Sequence, residues 1–130
     1  MYRVKVEKVR DADDNTTITL PESGASIYTK AFVMEDAIYH DMAIKDAGTT
    51  VDVKLELEQS HVLPAVEGAA DANWSEPSGM SDIAASHTAK SYTQYGLSPR
   101  VNKYGRYKIT DNGTTDSATA ELFYFKQGQF

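Results

Sequence analysis

The sequence predicts an all-β chain: a single domain over residues 1–130, built as an antiparallel β-sandwich of jelly-roll or Ig-like type. About seven to nine short strands and one long central loop are expected. Three observations predict it. Val51-Asp52-Val53-Lys54-Leu55-Glu56-Leu57-Glu58 alternates apolar and charged residues without a break, which turns one strand face to a core and the other to water. Turn-forming residues punctuate the chain at short intervals. Convincing helical periodicity is scarce.

The first strand is Tyr2-Arg3-Val4-Lys5-Val6-Glu7-Lys8-Val9, with Tyr2, Val4 and Val6 facing inward. Residues 16–20 are rich in β-branched side chains and end at Pro21, which cannot donate to a ladder. Residues 26–34 form a further strand after the turn-forming Ser23-Gly24. Residues 34–46 read as a helix through Met34, Ala37, Ile38 and Met42, or as a strand through Ile38, His40, Met42 and Ile44. The strand is preferred, because its neighbours are strands and connections are short. Ala47-Gly48 supplies a turn before the strong strand at 51–58. Between residues 63 and 79, Pro64, Gly68, Pro77 and Gly79 break regular structure around the only tryptophan, Trp74. Such a loop carries function or packs over a sheet. Residues 104–110 and 118–126 are the last strands, and Asp111-Asn112-Gly113 between them predicts a hairpin.

Composition narrows the partners. The 130 residues carry 13 Lys+Arg and 19 Asp+Glu, a formal net charge of −6, with 41% hydrophobic and 25% charged residues. That is a soluble globular balance, and the length suits one core. An acidic chain lacks the field that attracts phosphates, so nucleic acid is not an expected partner. The apolar runs fall far short of the roughly 18–20 residues of a spanning helix, so no membrane partner is expected either. The N-terminal alternation also differs from a secretory signal. With no cysteine in the chain, disulfides, thiolate metal sites and cysteine nucleophiles drop out together.

Few residues suggest chemistry. Asp11, Asp13, Asn15 and Glu22 occupy four positions of a twelve-residue calcium loop, but Thr16 stands where that loop needs glycine, and strands flank it. An acidic turn is the preferred reading, and no cofactor or metal is expected. His40, His61 and His87 lie at no spacing that places two imidazoles together. No Gly-x-Ser-x-Gly elbow occurs. Asp36 and Asp41, or Glu56 and Glu58, are paired carboxylates, but the second pair shares the solvent face of one strand. The chain is therefore not expected to be an enzyme.

The aromatics carry more. Leu122 and Tyr124 alternate with Phe123 and Phe125, so both faces of the last strand are apolar. Such a strand is central between two layers or covered by a partner. Trp74 and the tyrosines near it offer a second possibility, a platform for stacking sugars.

From residue 31 to 126 the order of features resembles small β-sandwich structural proteins of tailed-phage virions. The features are the strand ending Leu55-Glu56-Leu57-Glu58-Gln59-Ser60, the loop with Asn73-Trp74-Ser75-Glu76, the strand Tyr104-Gly105-Arg106-Tyr107-Lys108-Ile109-Thr110, and a closing apolar strand. Lys108 departs from that pattern, where a second Arg or a Leu stands. The resemblance implies a capsid decoration or cement protein on the virion surface, assembled in the host cytoplasm and bound to the major capsid protein. No catalytic residues carry over. A homo-oligomer is expected, with a trimer favoured, and Tyr2, Val4, Trp74, Tyr104, Phe123, Phe125 and Phe130 are the candidate interface residues. The alternative is a carbohydrate-binding module or a tail or host-adhesion sandwich using exposed aromatics.

Overall fold

In the computed structural model, which describes residues 3–88 and 91–129, the alternating segments become ten strands with no helix among the described residues. They are β1 (Arg3–Val9), β2 (Ile18–Thr19), β3 (Ser26–Tyr28), β4 (Phe32–Val33), β5 (Ala37–Thr50), β6 (Asp52–Ser60), β7 (Ala84–Thr88), β8 (Thr93–Leu97), β9 (Tyr104–Asp111) and β10 (Asp116–Gly128). One sheet, A, has the order β1-β10-β5-β8 with β2 also on β10. The other, B, has the order β3-β9-β6-β7 with β4 also on β9. Every pairing is antiparallel.

Without the two short strands β2 and β4, eight strands remain, and they pair first with last, second with seventh, third with sixth and fourth with fifth. These are β1·β10, β3·β9, β5·β8 and β6·β7. A long antiparallel hairpin of four such pairs, rolled so that alternate pairs fall in opposite sheets, is the jelly roll. The architecture is a β-sandwich as the sequence predicts, and of the two sandwich types expected, strand order selects this one.

The core lies between the sheets. Val53, Leu55 and Leu57 of β6 meet Met42 and Ile44 of β5 and Leu122 and Tyr124 of β10, all buried. Burying each such side chain contributes about 1.5–3 kcal/mol. Phe32 stacks on Tyr124 with centroids 4.3 Å apart and tilts against Tyr107 at 5.0 Å. Its partner in the ladder is Gly105, where a Cβ would strike both Met34 and the Phe32 ring. Most of the segment at 34–46 resolves as strand β5, for which Met42, Ile44 and Asp46 point inward. The turn expected at Ala47-Gly48 does not form, because β5 runs through both to Thr50, pairing them with Thr119 and Ala118 of β10.

The strand expected over residues 26–34 is interrupted and forms two short ones, β3 and β4, both paired with β9. Two further local expectations need correction. Val4 and Val6 do not face inward: they are 64% and 60% exposed, and Val9 is the buried residue of β1. The predicted hairpin between the last two strands does not form, because β9 lies in sheet B and β10 in sheet A. The loop at 112–115 instead crosses from one sheet to the other. The Asp111 carboxylate accepts from Gly24 N at 2.9 Å and Thr115 N at 3.0 Å, while Asn112 N donates to Asp52 O. Those backbone donors hold the Asp111 carboxyl down at a pKa of about 2.

Candidate interaction face

The two outward faces of the sandwich are finished differently. On β9, alternation points Tyr104, Arg106, Lys108 and Thr110 out of sheet B. Arg106 is nonetheless fully buried. Its Nε and Nη2 contact Glu58 Oε1 at 2.9 and 2.8 Å, and Nη1 donates to Ala69 O at 2.8 Å. The guanidinium lies 4.4 Å from the Tyr28 ring centroid and 4.9 Å from that of Trp74. Trp74 comes from the central loop, which the same contacts fasten over sheet B. Gln59 adds a backbone bridge to Ser75, and its side-chain amide donates to Arg100 O and accepts from Arg100 N. The outer face of sheet B around Arg106 and Glu58 is thus covered by the chain's own loop. Glu58, expected in water, is buried beneath it, and Trp74 is only 4% exposed.

Sheet A has no such cover among the described residues. The register places Val6 beside Phe125, Lys8 beside Phe123 and Val4 beside Gln127. Phe125 and Phe123 in turn lie beside Asp41 and Ala43 of β5, and Gln127 beside Tyr39. Residues directly opposite one another share a face. Val4, Val6, Phe123, Phe125 and Tyr39 therefore form one outward apolar band. A groove of about 170 Å³ runs along it between Val4, Tyr39, Asp41, Gln94 and Phe125. Polar pairs border the band: Lys8 to Glu121 at 2.8 Å, and Gln94 to Asp41 at 3.0 Å. An apolar centre with a polar rim is the anatomy of a protein interface.

Of the residues picked from sequence, Val4, Phe123 and Phe125 come together here. Tyr104, half-buried beneath the Lys103 ammonium, and Trp74 lie on the sheet B side. Tyr2 and Phe130 fall outside the described residues. The sequence reading missed Val6 and Tyr39 as members of this face. A signal existed: Val9 is out of phase with Val4 and Val6, so both sets cannot face one core.

Titratable groups gather elsewhere. Asp11 Oδ1 accepts from Asp13 N and Asn15 N, and Glu22 Oε2 accepts from Ser117 N, so the structure uses these carboxylates in separate turns. The carboxylates that do converge among the described residues are Glu56, Glu76 and Asp82, where the central loop meets β6. Burial, a hydrogen bond with Asp82 and the charges of Asp82 and Glu56 push the Glu76 carboxyl up to about 7. Two histidines that looked isolated are engaged, His87 between the sheets and His40 within sheet A. His87 Nε2 lies 2.5 Å from Asp46 Oδ2 and Nδ1 2.7 Å from the Tyr95 hydroxyl, while His40 Nδ1 meets the Tyr124 hydroxyl. The His87 group has the acid–imidazole–hydroxyl order of a relay, but His87 and Asp46 are buried and the hydroxyl belongs to tyrosine. Its evident work is to tie β7 of one sheet to β5 and β8 of the other.

Compared with known protein families, with curated proteins and with solved structures, the chain matches none.

Proposed function

We propose that this chain is a non-enzymatic virion structural protein, a decoration or cement subunit that binds the major capsid protein lattice of a tailed phage as a homo-oligomer. One observation carries the assembly part of the reading: among the described residues the apolar band of sheet A stands uncovered, while the chain's own loop covers the middle of sheet B around Arg106. Jelly rolls serve in viral capsids and lectins alike, and function follows the site rather than the fold. Here the ring best suited to stacking on a sugar, Trp74, is spent on Arg106. The net charge of −6 favours the outside of a capsid over a surface facing packaged nucleic acid. Binding only to the assembled lattice raises lattice stability by mass action.

The test uses density-gradient-purified phage heads from the lysate that contains this protein, stripped of it and mixed with tagged wild type or Val4→Asp/Val6→Asp. The wild type is expected to co-sediment, and the variant to lose at least tenfold in occupancy while keeping its circular dichroism. Equal occupancy of both, or no binding by the wild type, overturns the reading.

A further inference from the structure

Among the described residues β1 is an edge strand, paired only with β10. All six residues from Arg3 to Lys8 are exposed. Edges of this kind invite another strand, and lysines commonly guard them. The sequence of β1, Arg-Val-Lys-Val-Glu-Lys-Val, has a property that the other described edges lack. Laid antiparallel on itself about Val6, it sets Lys5 opposite Glu7 of the second strand, twice by symmetry. Val6 then faces Val6, Val4 faces Lys8 and Arg3 faces Val9. All seven residues are paired.

Keeping the same face outward on both copies allows register shifts of two residues only. One such shift sets Arg3 opposite Glu7 but places Lys5 on Lys5; the other places Glu7 on Glu7 with no opposite-charge pair. Both shorten the ladder, so only the register about Val6 has opposite-charge pairs and no like-charge pair. Like charges directly opposite are destabilising and opposite charges stabilising. The strand therefore specifies one self-register. β7 and β8, with sequences Ala-Ala-Ser-His-Thr and Thr-Gln-Tyr-Gly-Leu, hold no carboxylate or ammonium to set one. β3, Ser-Ile-Tyr, is only three residues long.

We infer that β1 pairs with β1 of a second copy about a two-fold axis through Val6, joining the two A sheets into one continuous sheet. The contact rests on the assembly reading above and names the element that makes it. Phe125 and Val6 of one copy then run straight into Val6 and Phe125 of the other, doubling the apolar band offered to a lattice. The unit closes at two copies, where the sequence favoured three. A single strand pair is a small interface, so the dimer dissociates on dilution.

The chain has no cysteine of its own, which makes single-cysteine substitutions clean reporters. Opposed residues in the proposed ladder are about 5 Å apart, whereas Val4 and its own copy lie about 13 Å apart along the strands. A thiol crosslinker spanning about 8 Å should join Val6→Cys to itself, and Val4→Cys only to Lys8→Cys. In sedimentation equilibrium, Lys5→Glu should weaken the dimer about tenfold or more, and Lys5→Glu/Glu7→Lys should restore it to within about threefold of wild type. Self-crosslinking of Val4→Cys as efficient as that of Val6→Cys overturns the register. A stable oligomer without the Val6→Cys crosslink overturns the pairing but leaves oligomeric assembly standing. A monomer throughout, with no crosslink, also overturns the pairing, while head binding is decided separately by the co-sedimentation measurement.

Discussion

Arg106 lies on the outward side of its strand and yet has no contact with water. Glu58 supplies the counter-charge, Ala69 an acceptor, and Tyr28 and Trp74 two π faces. Truncating one partner of such a pair leaves the other charge buried and alone, which costs about 3–5 kcal/mol. Arg106→Ala is therefore expected to destabilise by that amount. Because Trp74 is the sole tryptophan, its emission should shift to the red in the folded variant as the loop lifts. Unchanged emission and melting temperature would show that the clamp is dispensable. Arg106→Met/Glu58→Leu, which removes both charges, should recover most of the loss. None of this was legible locally. Glu58 continues a clean alternation and reads as solvated, since its partner is 48 residues further along the chain. Trp74 in a glycine- and proline-rich loop reads as exposed for the same reason.

At the scale of elements, alternation predicted the long strands β6, β9 and β10 well, because each buries one side, but it left β5 open between helix and strand and ended it at Ala47-Gly48, short of Thr50. It misassigned β1, where the apolar side faces out and Val9 alone reaches the core. Period two gives a strand two faces without saying which is inward. The central loop was recognised by its breakers, but not its docking, which depends on side chains converging from separate segments, Arg106, Glu58 and Trp74 at one place and Glu56, Glu76 and Asp82 at another. Glu76 provides a handle on that docking. Its folded pKa of about 7 lies above the ordinary 4.5, so the folded state holds the proton more tightly than the unfolded. The group's contribution is thus most favourable below pH 4.5 and falls as pH rises to about 7. His40, lowered mainly by burial, works in the opposite direction below its ordinary 6.5. The informative quantity is accordingly a difference between proteins. From pH 5 to 8, wild type should lose more loop protection, measured as proteolysis within residues 61–83, than Glu76→Gln does. Identical pH profiles would mean that the cluster does not hold the loop.

Across the whole molecule, each strand ladder joins a strand from residues 3–60 to one from residues 84–128. β1, β2 and β5 pair with β10, β5 also with β8, β3, β4 and β6 with β9, and β6 also with β7. No ladder among the described residues lies within either half. This explains why a hairpin predicted from Asn112-Gly113 failed: the jelly roll sends β9 and β10 to opposite sheets, and their ladder partners lie in the first half of the chain. It also makes a demand on folding. Loop-closure entropy must be met before any ladder forms, which slows folding, and neither half holds a sheet of its own. Chains of residues 1–66 and 67–130, cut in the central loop, should each show the circular dichroism of unfolded chain. Mixed at equal concentration they should recover the β spectrum and the buried Trp74 emission, since the ladders need no covalent connection there. The mixture should melt in one transition whose midpoint rises with concentration, as a bimolecular assembly requires. A β spectrum from either fragment alone would show that half of the sandwich has local structure the strand pairing does not provide.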